Sequence, residues 1–301
     1  MPKTNRPKIV FLGTPNFGRI ILENLLEANF PVIGVITQPD RPTGRNHRMT
    51  PSPVKLLAKE RGIRTFTPAS KTELSQLEAK LRALKPSLFV VAAYGMIIPP
   101  EILAIPTRGA LNVHPSLLPK YRGASPIQAA ILNGERETGV TIMQLDEELD
   151  HGPVLAHQKI SLAPRETTPT LTEKLAQLGG KLLTETIPLY QAGKITPQPQ
   201  NHELATFTKL IEKEDGKINW EWPNEKIERM IRAYTPWPGV WTTVGEMATQ
   251  LDRELRNPKQ QNLKLKILAA HLENGTFSLD RVQVEGRNPI TFSDFVKGYL
   301  S

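Results

Sequence analysis

Asn112 and His114 stand one residue apart in the run Asn112-Val-His-Pro-Ser-Leu-Leu-Pro119. Side chains alternate between faces along an extended strand, so at a strand end this pair points to one side. An amide donor beside an imidazole is what acyl transfer needs. The amide stabilises a developing oxyanion, and the imidazole handles a proton near neutral pH. The same pair also reads as a capping and hydrogen-bonding pair. A second cluster, Asp146-Glu-Glu-Leu-Asp150-His-Gly152, follows an apolar run. Its carboxylates read as a solvated acidic turn, or as a hard-cation site that lacks the alternating ligand spacing of a calcium loop. A third reading has one of them reaching His114 and orienting its ring. Spacing alone leaves positions 114 and 150 unconnected. The run Gly13-Thr-Pro-Asn-Phe-Gly18 has only two glycines, and no acidic residue closes the next strand. It reads as a tight strand-to-helix turn rather than a dinucleotide site.

Around these candidates the pattern is that of alternating strands and helices. Lys8 to Gly13, Val32 to Ile36, Leu88 to Ala93, Gly109 to Val113 and Val140 to Leu145 are short apolar or β-branched runs and read as buried strands. Helical spacing follows at Phe17, Ile20, Ile21, Leu25 and Leu26, then at Val54–Lys59, Leu74–Leu84, Pro126–Asn133 and Leu171–Leu189. Thr37 to Pro53 reads as a polar loop. Such alternation implies a mainly parallel sheet with helices on both faces, whose ligands bind beyond the carboxyl ends of the strands. Tyr94, Asn112 and His114 sit at such ends. Residues 191–206 are polar with two prolines, the composition of a linker. Beyond it a small, mainly β domain is expected, with strands near Leu263–Leu268 and Phe277–Val284.

The chain has 301 residues, 39% apolar and 23% charged, and no cysteine. Disulfides, thiolate nucleophiles and cysteine-based zinc sites are thereby excluded. The apolar run Ile9–Leu12 is too short for a signal peptide, and no run approaches the ~20 apolar residues that span a bilayer. A cytoplasmic location is expected. The net charge is +8, and residues 37–64 hold seven basic side chains against two acidic, a local excess of +5. Arg41, Arg45 and Arg48 lie in that stretch. A concentrated basic patch suits a polyanion, because each neutralised phosphate releases counterions; it also reads as a solvated loop.

The runs from Asn112 to Gln128, Glu137 to Gln144 and Leu149 to Leu155, with Phe11-Leu-Gly-Thr-Pro15, Thr37–Arg45, Thr50–Lys55 and Ala92–Pro99, resemble the methionyl-tRNA formyltransferase family. The resemblance covers residues 7–190 and is looser afterwards, through Phe207-Thr-Lys209, Trp237-Pro-Gly239 and Gln283–Gly286. It implies a Rossmann-like formyltransferase domain with a mainly parallel sheet over residues 1–190. A linker at 191–206 and a small OB-like β-barrel domain that contacts tRNA at 207–301 would follow. It implies transfer of a formyl group from 10-formyltetrahydrofolate, with no metal, to the α-amine of initiator methionyl-tRNA, by a monomer. Asn112, His114 and Asp150 fall on the family's catalytic triad. Ser116, Leu117, Leu118 and Pro119 fall on one wall of the folate site. Tyr94, Gly95 and Ile98 fall on the opposite wall, with Asp146 also a folate contact. Arg41, Arg45 and Arg48 fall on a loop associated with the tRNA acceptor end, and Lys120, Arg122 and Lys209 extend that path.

The sequence departs from the family at three places. Glu148 and His151 stand where glycine and threonine are usual, so the Asp150 loop is expected to differ in shape. Asn46-His47 replaces glycine-lysine in the basic loop. The polar span Glu246–Asn262 replaces readable strands. Two rival readings stand beside this one: a formyltransferase acting on a small amine such as an amino sugar nucleotide, and a catalytically silent RNA-binding relative. A nicotinamide enzyme lacks its fingerprint.

Overall fold

The computed structural model describes residues 6–44, 47–273 and 276–301, and within them the chain divides into two compact units. The first unit comprises Met1–Pro126, Glu137–Ser161 and Thr172–Thr208. Its elements run β1 (Ile9–Gly13), α1 (Asn16–Glu27), β2 (Val32–Ile36), β3 (Arg41–Thr43), β4 (Arg48–Thr50), α2 (Pro53–Glu60) and β5 (Thr65–Phe66). Then come α3 (Lys71–Ser75), α4 (Glu78–Ala83), β6 (Leu88–Ala92), α5 (Pro100–Leu103), β7 (Ala110–His114) and β8 (Arg122–Gly123). After α6 (Pro126–Leu132) follow β9 (Glu137–Gln144), β10 (Val154–Ser161), α7 (Thr168–Gln191) and β11 (Phe207–Thr208).

Seven strands form one sheet in the order β10-β9-β7-β6-β1-β2-β5. β5, β2, β1, β6 and β7 pair in parallel, while β9 and β10 join antiparallel at one edge. Strands β1, β6 and β7 are buried at every position, as their unbroken apolar runs require when both faces are covered. The Gly13–Gly18 segment is the tight turn expected of it. A Cβ on either glycine would stand 2.8 Å from the Ala92 carbonyl, so the turn lies against β6 and only glycine fits there.

Three readings of the sequence change in this unit. The single helix expected over Leu74–Leu84 is two short ones, α3 and α4, because Gln76 and Leu77 end the first and begin the second. The polar loop Thr37–Pro53 carries an exposed antiparallel hairpin, β3–β4, which has no buried face to give a sequence signal. The whole of the expected linker, residues 191–206, falls in the first unit. Gln198 exchanges two backbone hydrogen bonds with Val154, and β11 pairs in parallel with β8.

The second unit comprises Ile127–Arg136, Leu162–Leu171 and Lys209–Ser301. It contains α8 (Asn224–Ala233), β12 (Val240–Thr243), α9 (Val244–Gln250), β13 (Lys264–Glu273), β14 (Thr276–Val284), β15 (Ile290–Thr291) and α10 (Phe292–Tyr299). The strands form an antiparallel sheet in the order β12-β13-β14-β15. Its core includes Ile227, Val240, Met247, Leu265, Ile267, Val282 and Phe295. The polar span from Glu246 holds helix α9, which its capping box starts. Thr243 Oγ1 accepts from the Glu246 amide, and the Glu246 carboxylate accepts from the Thr243 amide. No helix among the described residues is long and apolar enough to cross a membrane.

Candidate active site

Strand β7 delivers Asn112 and His114 to the same side, as its two-residue period requires, and both are buried. Asp150 arrives from the loop between β9 and β10, with φ of 49°, a left-handed backbone that costs a non-glycine residue energy. Its Oδ1 lies 3.5 Å from Asn112 Nδ2 and 3.6 Å from His114 Nδ1, and its Oδ2 accepts from the Gly123 amide at 2.8 Å. Positions 114 and 150, unconnected in the sequence, therefore meet. His114 Nε2 lies 2.9 Å from the Tyr121 carbonyl. A carbonyl can only accept, so Nε2 carries a proton there, and Nδ1 is the ring nitrogen that faces Asp150.

The loop carrying Asp150 differs from the expectation in where its special backbone lies. The left-handed residue is Asp150, and Glu148 is not among the residues with positive φ. Gly152 is the position that admits no side chain, because a Cβ there would collide with the Gln144 carbonyl. Asp146 holds the loop: its carboxylate bonds His151 Nδ1 at 2.7 Å and the Glu148 amide at 3.1 Å. Among the described residues no group of three or more His, Asp or Glu side chains is placed to hold a metal ion.

The remaining sequence candidates divide. Leu117, Leu118 and Pro119 are half-buried between β7 and β8, with the Leu118–Pro119 peptide cis, and the Leu118 amide donates to Thr141 Oγ1. Ser116 is fully buried and its hydroxyl donates to the Lys120 carbonyl, so it closes the turn and its side chain forms no wall. Tyr94 is likewise corrected. Its ring is 2% exposed in the core beside Val10, Ile36 and Ile102, and burial pushes its phenol up to about 12. Gly95 and the half-buried Ile98 remain at the surface.

Arg41 and Arg48 stand exposed on the β3–β4 hairpin. Its base is tied to the Tyr94–Gly95 segment by Gln38, whose amide donates to both carbonyls at 3.1 and 2.9 Å. Arg45 lies outside the described residues. Lys120 is exposed. Lys209 pairs with Asp215 at 2.5 Å, a contact that raises the amine's pKa and lowers the carboxyl's. Arg122 is corrected: it is 4% exposed, with its guanidinium on Gln200 Oε1 and His202 Nδ1. Buried on these acceptors, the guanidinium is not offered to phosphates at the surface. Gln200, the Tyr121 carbonyl and the Gly123 amide were not found from sequence. Backbone groups carry no sequence signal, and Gln200 is one amide in a polar stretch.

A buried amide, imidazole and carboxylate at the carboxyl end of a Rossmann-like sheet fit a group-transfer enzyme. Residues 7–187 match the formyl transferase family model and residues 210–300 the formyl transferase C-terminal domain, so the chain belongs to the formyl transferase family. It is 43% identical over 300 residues to the methionyl-tRNA formyltransferase of Roseiflexus castenholzii, covering 97% of this chain and 96% of that one. Identity to the enzyme of the same name from Chloroflexus aggregans is 48% over 235 residues, covering 78% and 76%. Among solved structures, the methionyl-tRNA formyltransferase of Clostridium thermocellum matches with TM-score 0.57 at 20% identity, covering 92% and 98%. An N-formyltransferase from Helicobacter canadensis, solved with folinic acid and dTDP-3-aminofucose, matches with TM-score 0.63 at 20% identity, covering 97% of each chain. At such identities these two structures speak to the fold.

Proposed function

We infer that this chain transfers the formyl group of 10-formyltetrahydrofolate to the α-amine of initiator methionyl-tRNA. The observation that carries this reading is the meeting of Asn112, His114 and Asp150 at one strand end, in a chain 43% identical along nearly its whole length to a methionyl-tRNA formyltransferase. The neutral amine attacks the formyl carbon, and a new C–N bond forms as the carbonyl oxygen gains charge. Asn112 donates to that oxyanion. His114 accepts the amine's proton at Nδ1, and Asp150 stabilises the imidazolium so formed. As the bond from carbon to N10 of the folate breaks, the proton passes to N10, leaving tetrahydrofolate and formyl-methionyl-tRNA. The α-amine of an aminoacyl ester is less basic than that of a lysine, so it is readily neutral near pH 7.

The half-buried apolar Leu117, Leu118, Pro119 and Ile98 suit a flat pterin ring, with Gly95 and Asp146 supplying polar contacts. Folinic acid in the Helicobacter canadensis structure supports a folate donor in this fold. The exposed Arg41 and Arg48 of the hairpin, with Arg45, Lys120 and Lys209, take the tRNA backbone, and residues 207–301 share in holding it. Formyl transfer from 10-formyltetrahydrofolate to methionylated initiator tRNA, with His114→Ala as control, tests the reading. Transfer that disappears in the control supports reaction, acceptor and site together. Transfer to a nucleotide-linked amino sugar and none to tRNA would replace the acceptor.

A further inference from the structure

Behind Asp150 lies a side chain that touches no candidate reacting group. Gln200 is buried, and its Nε2 donates to the backbone carbonyls of Asp150 and Gly152 at 2.9 and 2.8 Å. Its Oε1 accepts from Arg122 Nε and Nη2 at 3.2 and 2.8 Å. The orientation of this amide is forced. Turned over, it would set its oxygen against two carbonyls and its NH2 against a guanidinium that can only donate. The third partner of Arg122, His202 Nδ1 at 2.7 Å, must also accept, and its ring stacks on that of His151 at 4.1 Å between centroids. His151 is the residue between the two carbonyls that Gln200 holds.

We propose that Gln200, locked by Arg122, is a positioning residue for Asp150 in the transfer reaction, an inference that rests on the function proposed above. One amide bridges the turn 150–152 where the backbone is left-handed and strained, and a strained conformation persists only where its surroundings over-determine it. The hold on the two carbonyls keeps the Asp150 carboxylate on the Gly123 amide and within 3.6 Å of His114. Among the reacting groups Gln200 reaches only Asp150, so its removal falls mainly on turnover rather than on substrate binding.

Gln200→Glu keeps length and the Arg122 pair, and turns an oxygen toward the two carbonyls. It should lower kcat about 10–100-fold, the usual cost of a misplacement near 1 Å. The KM values for folate and tRNA should stay within about threefold. On an Asp150→Asn background the same change should cost nothing further, because the group it positions is already gone. Amide exchange at Gly123 should accelerate, since its acceptor is released, while the thermal midpoint stays near the parent's. Wild-type kcat with unchanged Gly123 exchange overturns the proposal, as does a full additional loss in the double variant. If the glutamate variant does not fold, Gln200→Met, of similar length without donors, carries the same comparisons. Should the parent fail to formylate methionyl-tRNA, the functional reading falls, and Gly123 exchange still decides whether Gln200 holds Asp150.

Discussion

At the scale of single residues the site works by what each atom is still free to do. The His114 Nε2 proton is committed to the Tyr121 carbonyl, and Asp150 Oδ2 to the Gly123 amide. That leaves Asp150 Oδ1 facing the Asn112 amide at 3.5 Å and His114 Nδ1 at 3.6 Å, distances that a substrate can tighten. Asn112→Ala should therefore lower kcat by about 10²–10³ while KM is nearly kept, the pattern for a donor used only in the transition state. A steady-state comparison with the parent enzyme checks it, and a loss confined to KM would move Asn112 to ground-state binding. Gly152→Ala probes the same loop from its backbone. The added methyl meets the Gln144 carbonyl, so β9 or the Asp150 turn must shift. Overpacking of this kind typically costs 1–3 kcal/mol, read as a lowered unfolding midpoint together with lost turnover. Family resemblance put Asn112, His114 and Asp150 together, whereas their spacing in the sequence did not. A carboxylate 36 residues beyond the imidazole reaches it only because β9 runs antiparallel beside β7.

At the scale of elements, strands β1, β2, β6 and β7 were legible because burial on both faces demands unbroken apolar runs. The β3–β4 hairpin and helix α9 were not. The first has no buried face, and the second is announced by one threonine and one glutamate within a polar span. Each makes a prediction. Arg41→Ala and Arg48→Ala should each raise KM for tRNA and reduce the slope of log affinity against log salt by about 1, the share of one phosphate contact. A filter-binding series over salt measures this, and unchanged slopes would remove the hairpin from the footprint. In α9, Thr243→Ala removes a side-chain cap worth ~1 kcal/mol. Burial pushes the partner Glu246 up, but hydrogen bonds from Lys217, Thr243 and Thr242 outweigh it and lower its pKa. A carboxyl lowered on folding adds stability above its unfolded value of about 4.3, lost as pH falls through the lower folded value. Denaturant unfolding at pH 7 and at pH 3 should therefore show a smaller drop for Glu246→Gln than for the parent.

At the scale of the whole molecule, the division of the chain is not sequential. The second unit takes residues 127–136 and 162–171 from between segments of the first. Arg229 donates to the Leu132 carbonyl at 2.9 Å, Arg232 to the Glu166 carbonyl at 2.9 Å, and Thr168 to the Ala233 carbonyl. Ile131 and Leu171, at 0% and 1% exposed, belong to this unit. A reading of sequence alone assigns these segments to the catalytic half, and on that view a chain ending at Thr208 keeps its fold and loses only affinity for tRNA. The structure requires another outcome. Baring one large aliphatic side chain costs about 1.5–3 kcal/mol, so two of them, with three hydrogen bonds, amount to much of the 5–15 kcal/mol that holds a typical protein folded. The chain truncated after Thr208 should be insoluble, or unfold well below the full chain in a calorimetric scan, and should lose formyl transfer even at saturating tRNA. A truncated chain that keeps the parent's midpoint and kcat, with only KM for tRNA raised, would show that 127–136 and 162–171 need nothing from residues 209–301. In that case the second unit serves as an attachment for the acceptor and takes no part in holding the catalytic half together.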